Sequence, residues 1–327
     1  MSYHNLREVY IKKLLAAIPA NIKPVDYLMD ILNISRESVY RRIKCKVPFT
    51  YDEMIELSLK LGLSLDEITP LANSNKAIFS HQEYMEDPSH LFLKVLKEHS
   101  ESISKEVKID NRISITSTNH LWLIHIVGFE NLLKFYYYKW MHQMDVAFLK
   151  ASYSDMIFPK EIMELSHNIS EKMKPLRNSI FIIDKCIFFN IINEIQYYYR
   201  RGLLSEDDLL VISKDMERVV YKTEQNILNG TNESGAPRTY YLSSLNIDCN
   251  SIYLEYGDNV RSFFYTYGIR PLGTSSKKVC AYHKKWLNSL KKYSVLISAS
   301  NEEEQMRFFD KQKEYLNMLA NGDIIYP

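Results

Sequence analysis

The chain has 327 residues, of which 46% are hydrophobic, and its 41 Lys and Arg nearly balance its 40 Asp and Glu. This length exceeds the usual range of one domain and predicts two. The apolar content and the near-zero net charge exclude global disorder. Nine glycines are too few to favour glycine-rich phosphate-binding loops or a turn-rich all-β fold. The composition therefore favours a mainly α protein.

Cysteine spacing and apolar segments bear on the cellular setting. The four cysteines lie far apart and form no C-x-x-C pair, which fits neither a disulfide framework nor a zinc site. The apolar stretch at residues 14–18 is shorter than the core of a secretory signal. The longest apolar runs are interrupted before the ~18 residues that a membrane helix needs. We expect a cytoplasmic protein that does not contact membranes.

The first 70 residues have the pattern of several short helices. Apolar residues recur at helical spacing from Leu6 to Leu14, and Pro24 is suited to the first turn of the next helix. Capping boxes at 50–53 and 64–67 predict a fourth and a fifth helix. Pro70 and the polar residues 73–76 then indicate a linker near residues 70–80. We predict domains at 1–72 and 80–327.

The segment from Val25 to Lys44 has the pattern of a helix-turn-helix. Such a motif needs a core-facing first helix, a tight turn with a left-handed residue, and a second helix whose polar face is free to enter the DNA major groove. Leu28 and Leu32 supply the first core face. Asn33 occupies the turn, and asparagine tolerates the left-handed conformation well. The second helix begins after Ser35.

Basic residues are concentrated on that second helix and the loop after it. Residues 34–48 contain five basic side chains and one acidic side chain, whereas the first 70 residues contain ten basic and nine acidic. A local excess of positive charge of this kind is typical of phosphate binding. The alternative is an ordinary solvent-exposed helix face that binds no ligand.

These residues resemble the Cro/C1-type (XRE) helix-turn-helix family over residues 6–70. The resemblance extends from SRESVYRRI through KCKVP to TYDEMIELSLKLGLSLDEI, which are similar to that family's recognition helix, basic loop, and fourth and fifth helices. Three positions depart from the family pattern. Asn33 stands at the usual glycine, Arg42 replaces an apolar or Trp residue, and Cys45 stands where Gly or Asn often ends the helix.

The resemblance implies a DNA-contacting set. By position, the family's contacts fall on Ser35, Arg36, Glu37, Tyr40, Arg41 and Lys44. Because arginine bonds guanine bidentately, Arg36 or Arg41 is the better candidate for base reading, and Glu37 suits a cytosine amine. The remaining predicted contacts are to phosphate, from Arg42, Lys44, Lys46, and Ser35 with the helix N-terminus.

The rest of the chain predicts a larger, mostly helical domain with a small antiparallel β element. Helices are expected at 129–145, 205–228, from about 275, and after Ser300. Alternation around Gly257-Asp258-Asn259 predicts a β-hairpin. Six lysines lie between Lys277 and Lys292. They could form a second nucleic-acid surface or pair with the acidic run 302–304, but a solvent-exposed helix face without a ligand is the commoner interpretation. The sequence gives no metal, cofactor or catalytic motif.

Together these features predict a sequence-specific transcriptional regulator that binds double-stranded DNA as a homodimer. The C-terminal domain would dimerise, sense a small-molecule or peptide effector, or both. Two other classes stay open. One is a protein-interaction scaffold whose helix-turn-helix does not read DNA, and the other is an unrecognised enzyme in the C-terminal domain. Neither the operator nor the effector follows from the sequence.

Overall fold

The computed structural model describes residues 3–19, 22–63, 65, 77–79, 87–265 and 269–322. The chain divides into two compact units, residues 1–78 (unit 1) and 79–327 (unit 2). The predicted fifth helix begins at Ser64, and that residue, 66–76 and most of the predicted linker lie outside the described residues.

Unit 1 is built from four described helices, each of which contributes one fully buried side chain. The helices are α1 (Tyr3–Ala17), α2 (Pro24–Leu32), α3 (Arg36–Ile43) and α4 (Tyr51–Leu61). The four side chains, Leu14, Leu28, Val39 and Leu57, belong to one hydrophobic cluster. The predicted starts of α2 and α4 are confirmed, since α2 opens on Pro24 and Thr50 and Glu53 form a capping box. Gly62 ends α4 in the left-handed region.

Unit 2 combines eight described helices with seven described strands. The helices are α5 (Pro88–Glu106), α6 (Leu123–Ile126), α7 (Glu130–Met144), α8 (Lys160–Met173), α9 (Ile187–Arg200), α10 (Glu206–Asn229), α11 (Lys277–Lys292) and α12 (Glu302–Ala320). The strands are β1 (Ile113–Thr118), β2 (Ser179–Ile183), β3 (Arg238–Ser243), β4 (Asn250–Tyr256), β5 (Asn259–Tyr265), β6 (Leu272–Thr274) and β7 (Ser294–Leu296).

The strands form one mixed sheet, so the prediction of a mainly α fold with a small antiparallel element is wrong. The strand order is β6-β5-β4-β1-β2-β3-β7. Strands β1, β2 and β3 are parallel neighbours, and the outer strands pair antiparallel. The predicted hairpin exists as β4 and β5, joined at Gly257-Asp258, but it is only part of the sheet.

The missed strands have a physical explanation. They are three to seven residues long, and β1 alternates Ile with Ser or Thr over only four residues, which is the lower limit of a strand pattern. The apolar run from Ile180 to Ile192 divides into β2 and α9. Asp184 lies between the two elements, and its carboxylate accepts hydrogen bonds from the backbone N–H groups of Cys186 and Ile247.

The sheet is covered differently on its two faces. Ile115, Ile182 and Tyr253 point toward α11 and pack with Leu287 and Leu290. The other face meets the large hydrophobic cluster of α5–α10 and α12, which contains most of the buried aromatic residues. Within the described ranges, every helix is too short or too polar to cross a lipid bilayer.

Candidate nucleic-acid interface

The turn between α2 and α3 has the geometry that a helix-turn-helix needs. Asn33 adopts the left-handed conformation, with φ 49° and ψ 46°, directly after α2. Ser35 then lies in the extended region, and its hydroxyl accepts a hydrogen bond from the Ser38 N–H at 3.3 Å. This cap satisfies one of the free N–H groups at the start of α3. The reversal and the cap fix where α3 begins.

The orientation of α3 follows from which of its residues are buried. Val39 is fully buried, and Ile34 and Ile43 pack against the same cluster at the two ends of the helix. Because residues three to four positions apart share one face of a helix, Val39 and Ile43 mark the buried face of α3, and the opposite face points outward. The core of unit 1 therefore determines which residues reach solvent.

The outward face carries seven of the eight predicted DNA contacts. All seven residues are exposed, and 46% of the Tyr40 surface is open to solvent. All but Ser35 line one shallow, open depression. We call this set the α3 surface; it consists of Ser35, Arg36, Glu37, Tyr40, Arg41, Lys44 and Lys46.

Backbone hydrogen bonds keep the basic loop next to the end of α3. The Arg41 carbonyl accepts from the N–H groups of Lys46, at 2.8 Å, and Val47, at 3.1 Å. Cys45, between Lys44 and Lys46, adopts the left-handed backbone conformation, with φ 56°. That conformation explains why Gly or Asn suits this position, since other residues pay a steric cost there. The turn keeps Lys44 and Lys46 beside Arg41.

Arg36 makes an ion pair that the sequence did not predict. Its guanidinium lies 2.6 Å from the Asp26 carboxylate of α2, and the two side chains are 62% and 47% exposed. Exposed pairs of this kind contribute about 0 to 1 kcal/mol and are screened by salt. Arg36 is therefore held loosely at the N-terminal end of the α3 surface.

Arg42 is placed differently from the other seven residues. Its guanidinium donates to both carboxylate oxygens of Glu53, at 3.1 and 2.7 Å, and its side chain is only 14% exposed. Burial disfavours the charge of Glu53, but the hydrogen bonds from Arg42 and Thr50 offset this and lower its pKa. Arg42 thus connects α3 to the start of α4. In this arrangement its guanidinium is not presented to solvent with the other basic groups.

Because of these two ion pairs, the net positive charge at the α3 surface is smaller than a count over residues 34–48 suggests. Asp26 and Glu53 lie ten and eleven residues from their arginine partners, so a count over residues 34–48 does not include them. The basic groups of the α3 surface outside these pairs are Arg41, Lys44 and Lys46. The capping box reveals Glu53 as a helix-starting residue, but its second role depends on how α3 and α4 pack.

The lysine-rich segment of unit 2 forms α11. Tyr282, Trp286 and Tyr293 are exposed along it, whereas His283 is 4% exposed. In the acidic run, Glu303 and Glu304 form ion pairs with Arg307 of their own helix. Among the described residues, neither glutamate forms an ion pair with a lysine of α11. Across the described parts of the chain, His, Cys, Asp and Glu side chains form no cluster of three that would hold a metal ion.

Comparisons of the chain with protein-family models, with curated proteins and with solved structures found no match. The geometry of the α3 surface is consequently the main basis for assigning a function to unit 1.

Proposed function

We propose that the protein is a sequence-specific DNA-binding transcriptional regulator whose α3 enters the major groove. The observation that carries this proposal is the α3 surface itself. It presents exposed arginine, tyrosine and lysine side chains on a helix whose opposite face is packed into the core, directly after a left-handed turn. A helix in this setting fits the width of the major groove.

Base reading falls to the side chains along the middle of α3. Arg41 is exposed and makes no ion pair among the described residues, so its fork is available for guanine O6 and N7. Arg36 can serve the same role after leaving Asp26, because an exposed pair costs little to break. Glu37 can accept from a cytosine amine, and the Tyr40 ring supplies apolar contact area.

Phosphate contacts fall to the two ends of α3. Lys44 and Lys46 lie together at the C-terminal end, and Ser35 lies with the free N–H groups at the N-terminal end. Arg42 instead acts through Glu53 to hold α3 against α4, which is a positioning role. Sequence preference is therefore expected to depend on Arg41, and general affinity on Lys44 and Lys46.

We further propose that the chain acts as a homodimer with unit 2 as its dimerisation and sensing unit. One copy of α3 reaches only one half-site, and a single module buries too little surface to select a site among genomic competitors. A dimer would bind two half-sites related by two-fold symmetry.

The test is duplex binding by the full-length protein, measured by fluorescence anisotropy as a function of salt. The variants are Arg41→Ala, Lys46→Ala and the control Lys60→Ala, which removes an exposed lysine of α4 outside the α3 surface. Arg41→Ala should lower specific affinity by about 1 to 3 kcal/mol and relax the sequence preference. Lys46→Ala should weaken binding to all duplexes alike and reduce the salt slope by about one.

The control should bind as the unaltered protein does. Salt-insensitive binding, or equal losses in all three variants, would contradict the proposal. A complete lack of duplex binding by the folded protein would favour the alternative in which unit 1 holds a protein partner.

A further inference from the structure

Unit 2 contains a cavity on the face of the sheet that α11 does not cover. It has a volume of about 240 Å³ and lies between α5 and the strands β1, β2, β4 and β5. Its walls are largely apolar and aromatic. They include Trp122, Phe181, Ile252, Leu254, Phe263 and Tyr265.

The same cavity is lined by more positive than negative side chains. Four arginines, Arg112, Arg238, Arg261 and Arg270, share it with two glutamates, Glu98 and Glu106. Each glutamate is already paired. Arg112 lies 2.7 Å from Glu106, and Arg270 lies 2.9 Å from Glu98. Arg261 lies over the Phe263 ring instead of against a carboxylate.

Arg238 and Arg261 are the two arginines of this group without a carboxylate partner among the described residues, and Arg238 is the buried one. It is 8% exposed, and its guanidinium donates to the backbone carbonyls of Met173, Leu176 and Pro237. Among the described residues no carboxylate lies within ion-pair distance of it. Burial and the neighbouring charge of Arg112 lower the pKa of Arg238. A buried cation without a counter-ion is costly, and a bound anion would remove that cost.

Another residue of the cavity wall, Trp122, has a donor without a partner. The indole N–H of Trp122 is buried, and no described residue accepts a hydrogen bond from it, although the ring packs 4.2 Å from that of Tyr265. Most buried indole N–H groups find an acceptor. The cavity wall thus includes a buried cation without a carboxylate partner and an aromatic residue whose indole N–H is unused.

We propose that this cavity binds a small apolar carboxylic acid, with its carboxylate accepting from Arg238 and its hydrocarbon part against the aromatic walls. The size is suitable, because a cavity of about 150 Å³ already holds benzene, and this one holds a ring with a short acid chain. Pockets with apolar walls and a few polar anchors are the usual form of small-molecule sites. This binding does not depend on the DNA-binding proposal.

The first test compares a charged probe with its neutral counterpart on the full-length protein. Isothermal titration calorimetry with 4-phenylbutyrate should give saturable binding of one molecule per chain. The amide 4-phenylbutyramide has nearly the same shape but no charge, and it should bind at least about tenfold more weakly. Equal affinity for acid and amide, or no heat of binding up to about 5 mM acid, overturns the proposal.

The second test locates the site with two variants and one control. Arg238→Met removes the cation and should weaken binding of 4-phenylbutyrate by about tenfold or more. Thr116→Leu adds bulk on the cavity face of β1 and should also abolish binding, with Arg238 intact. The control Arg307→Met removes an exposed arginine of α12 outside the cavity and should bind as the unaltered protein does.

Far-ultraviolet circular dichroism establishes which variants are folded. If Arg238→Met does not fold, Thr116→Leu and the acid-to-amide ratio decide the result. Unchanged affinity in a folded Thr116→Leu protein overturns the assignment to this cavity.

Discussion

The two units of the chain are specified over different distances along the sequence. In unit 1 the boundaries of α2, α3 and α4 depend on neighbouring residues, as Asn33 and Ser35 show between α2 and α3. In unit 2 the sheet depends on distant partners, since Ser114 of β1 lies opposite Ser179 of β2 and Leu254 of β4. Patterns over a few residues therefore predict the helix boundaries of α2, α3 and α4 in unit 1, but they predict little of the sheet in unit 2.

The interiors of the two units differ as well. Unit 1 is stabilised by one small apolar cluster with seven buried members among the described residues. Unit 2 also buries polar groups in hydrogen-bonded chains. Beneath α11, Ser117 contacts Ser251 at 2.7 Å, and the His283 ring bonds to Ser251 at 3.0 Å and to Ser262 at 2.9 Å. We expect different substitutions to disrupt the two units.

The largest expected effect is from Leu28→Ala in unit 1. Leu28 is fully buried, so its truncation should cost about 3 kcal/mol, a large share of the stability of so small a unit. Hydrogen–deuterium exchange in α3 should rise, and duplex binding should fall. Tryptophan fluorescence should not change, because all three tryptophans lie in unit 2. Leu59→Ala, at a site 80% exposed, is the matched control; equal exchange in both variants would contradict this.

Asn250→Ala should act on unit 2 instead, at a cost of about 2 to 3 kcal/mol. The Asn250 side chain is fully buried and accepts from Thr118 Oγ1 and the Asn119 N–H, both at 2.9 Å. Its removal leaves the Asn119 N–H without its acceptor, whereas Thr118 Oγ1 keeps the His120 carbonyl at 2.7 Å. Denaturant titration followed by tryptophan fluorescence measures the loss. The exposed Asn246→Ala, in the loop before β4, should show no loss, and a similar loss in both variants would exclude the buried network as the cause.

Acidification should weaken unit 2 through His283. Burial lowers the pKa of His283 from 6.5 to about 4. Between these values the unfolded chain binds a proton that the folded chain does not, so stability is greatest above pH 6.5 and falls as the pH drops toward 4. This group alone contributes a loss of about 2 kcal/mol between about pH 8 and about pH 5.

The measurement for His283 is the free energy of unfolding from tryptophan fluorescence at both pH values. His283→Gln keeps groups able to bond with the two serines and should reduce the pH dependence by about that amount. The control His167→Gln alters an exposed histidine of α8. An unchanged pH dependence in His283→Gln would show that this ring is not the titrating group.

The smallest expected effect is from Glu53→Gln, at about 1.5 kcal/mol. This change leaves Arg42 partly buried without its counter-ion and weakens the capping box of α4. Exchange should increase at the α3–α4 contact, with a modest loss of duplex affinity. The exposed Glu56→Gln of the same helix is the control, and equal stability of the two variants would exclude a positioning role for the Arg42–Glu53 pair.

How far the sequence predicts the structure depends on where the partner residues lie. The ends of α2 and α4 and the outward face of α3 follow from proline, capping and apolar spacing within a few residues. The roles of Asp26 and Glu53 do not, because they arise only when helices pack. The cavity around Arg238 is harder still, since its walls come from residues as far apart as Val95 and Arg270. In a strand as short as β1, several buried positions are Ser or Thr, so the sequence gives only a weak strand pattern.

The most direct test of the account is selection of bound duplexes from a random pool by the full-length protein and by Arg41→Ala. The unaltered protein should enrich a two-fold symmetric motif. Arg41→Ala should lose the preference for one base pair in each half-site and keep the rest. The absence of any enriched motif, or an identical motif from both proteins, would contradict the claim that α3 reads DNA through Arg41.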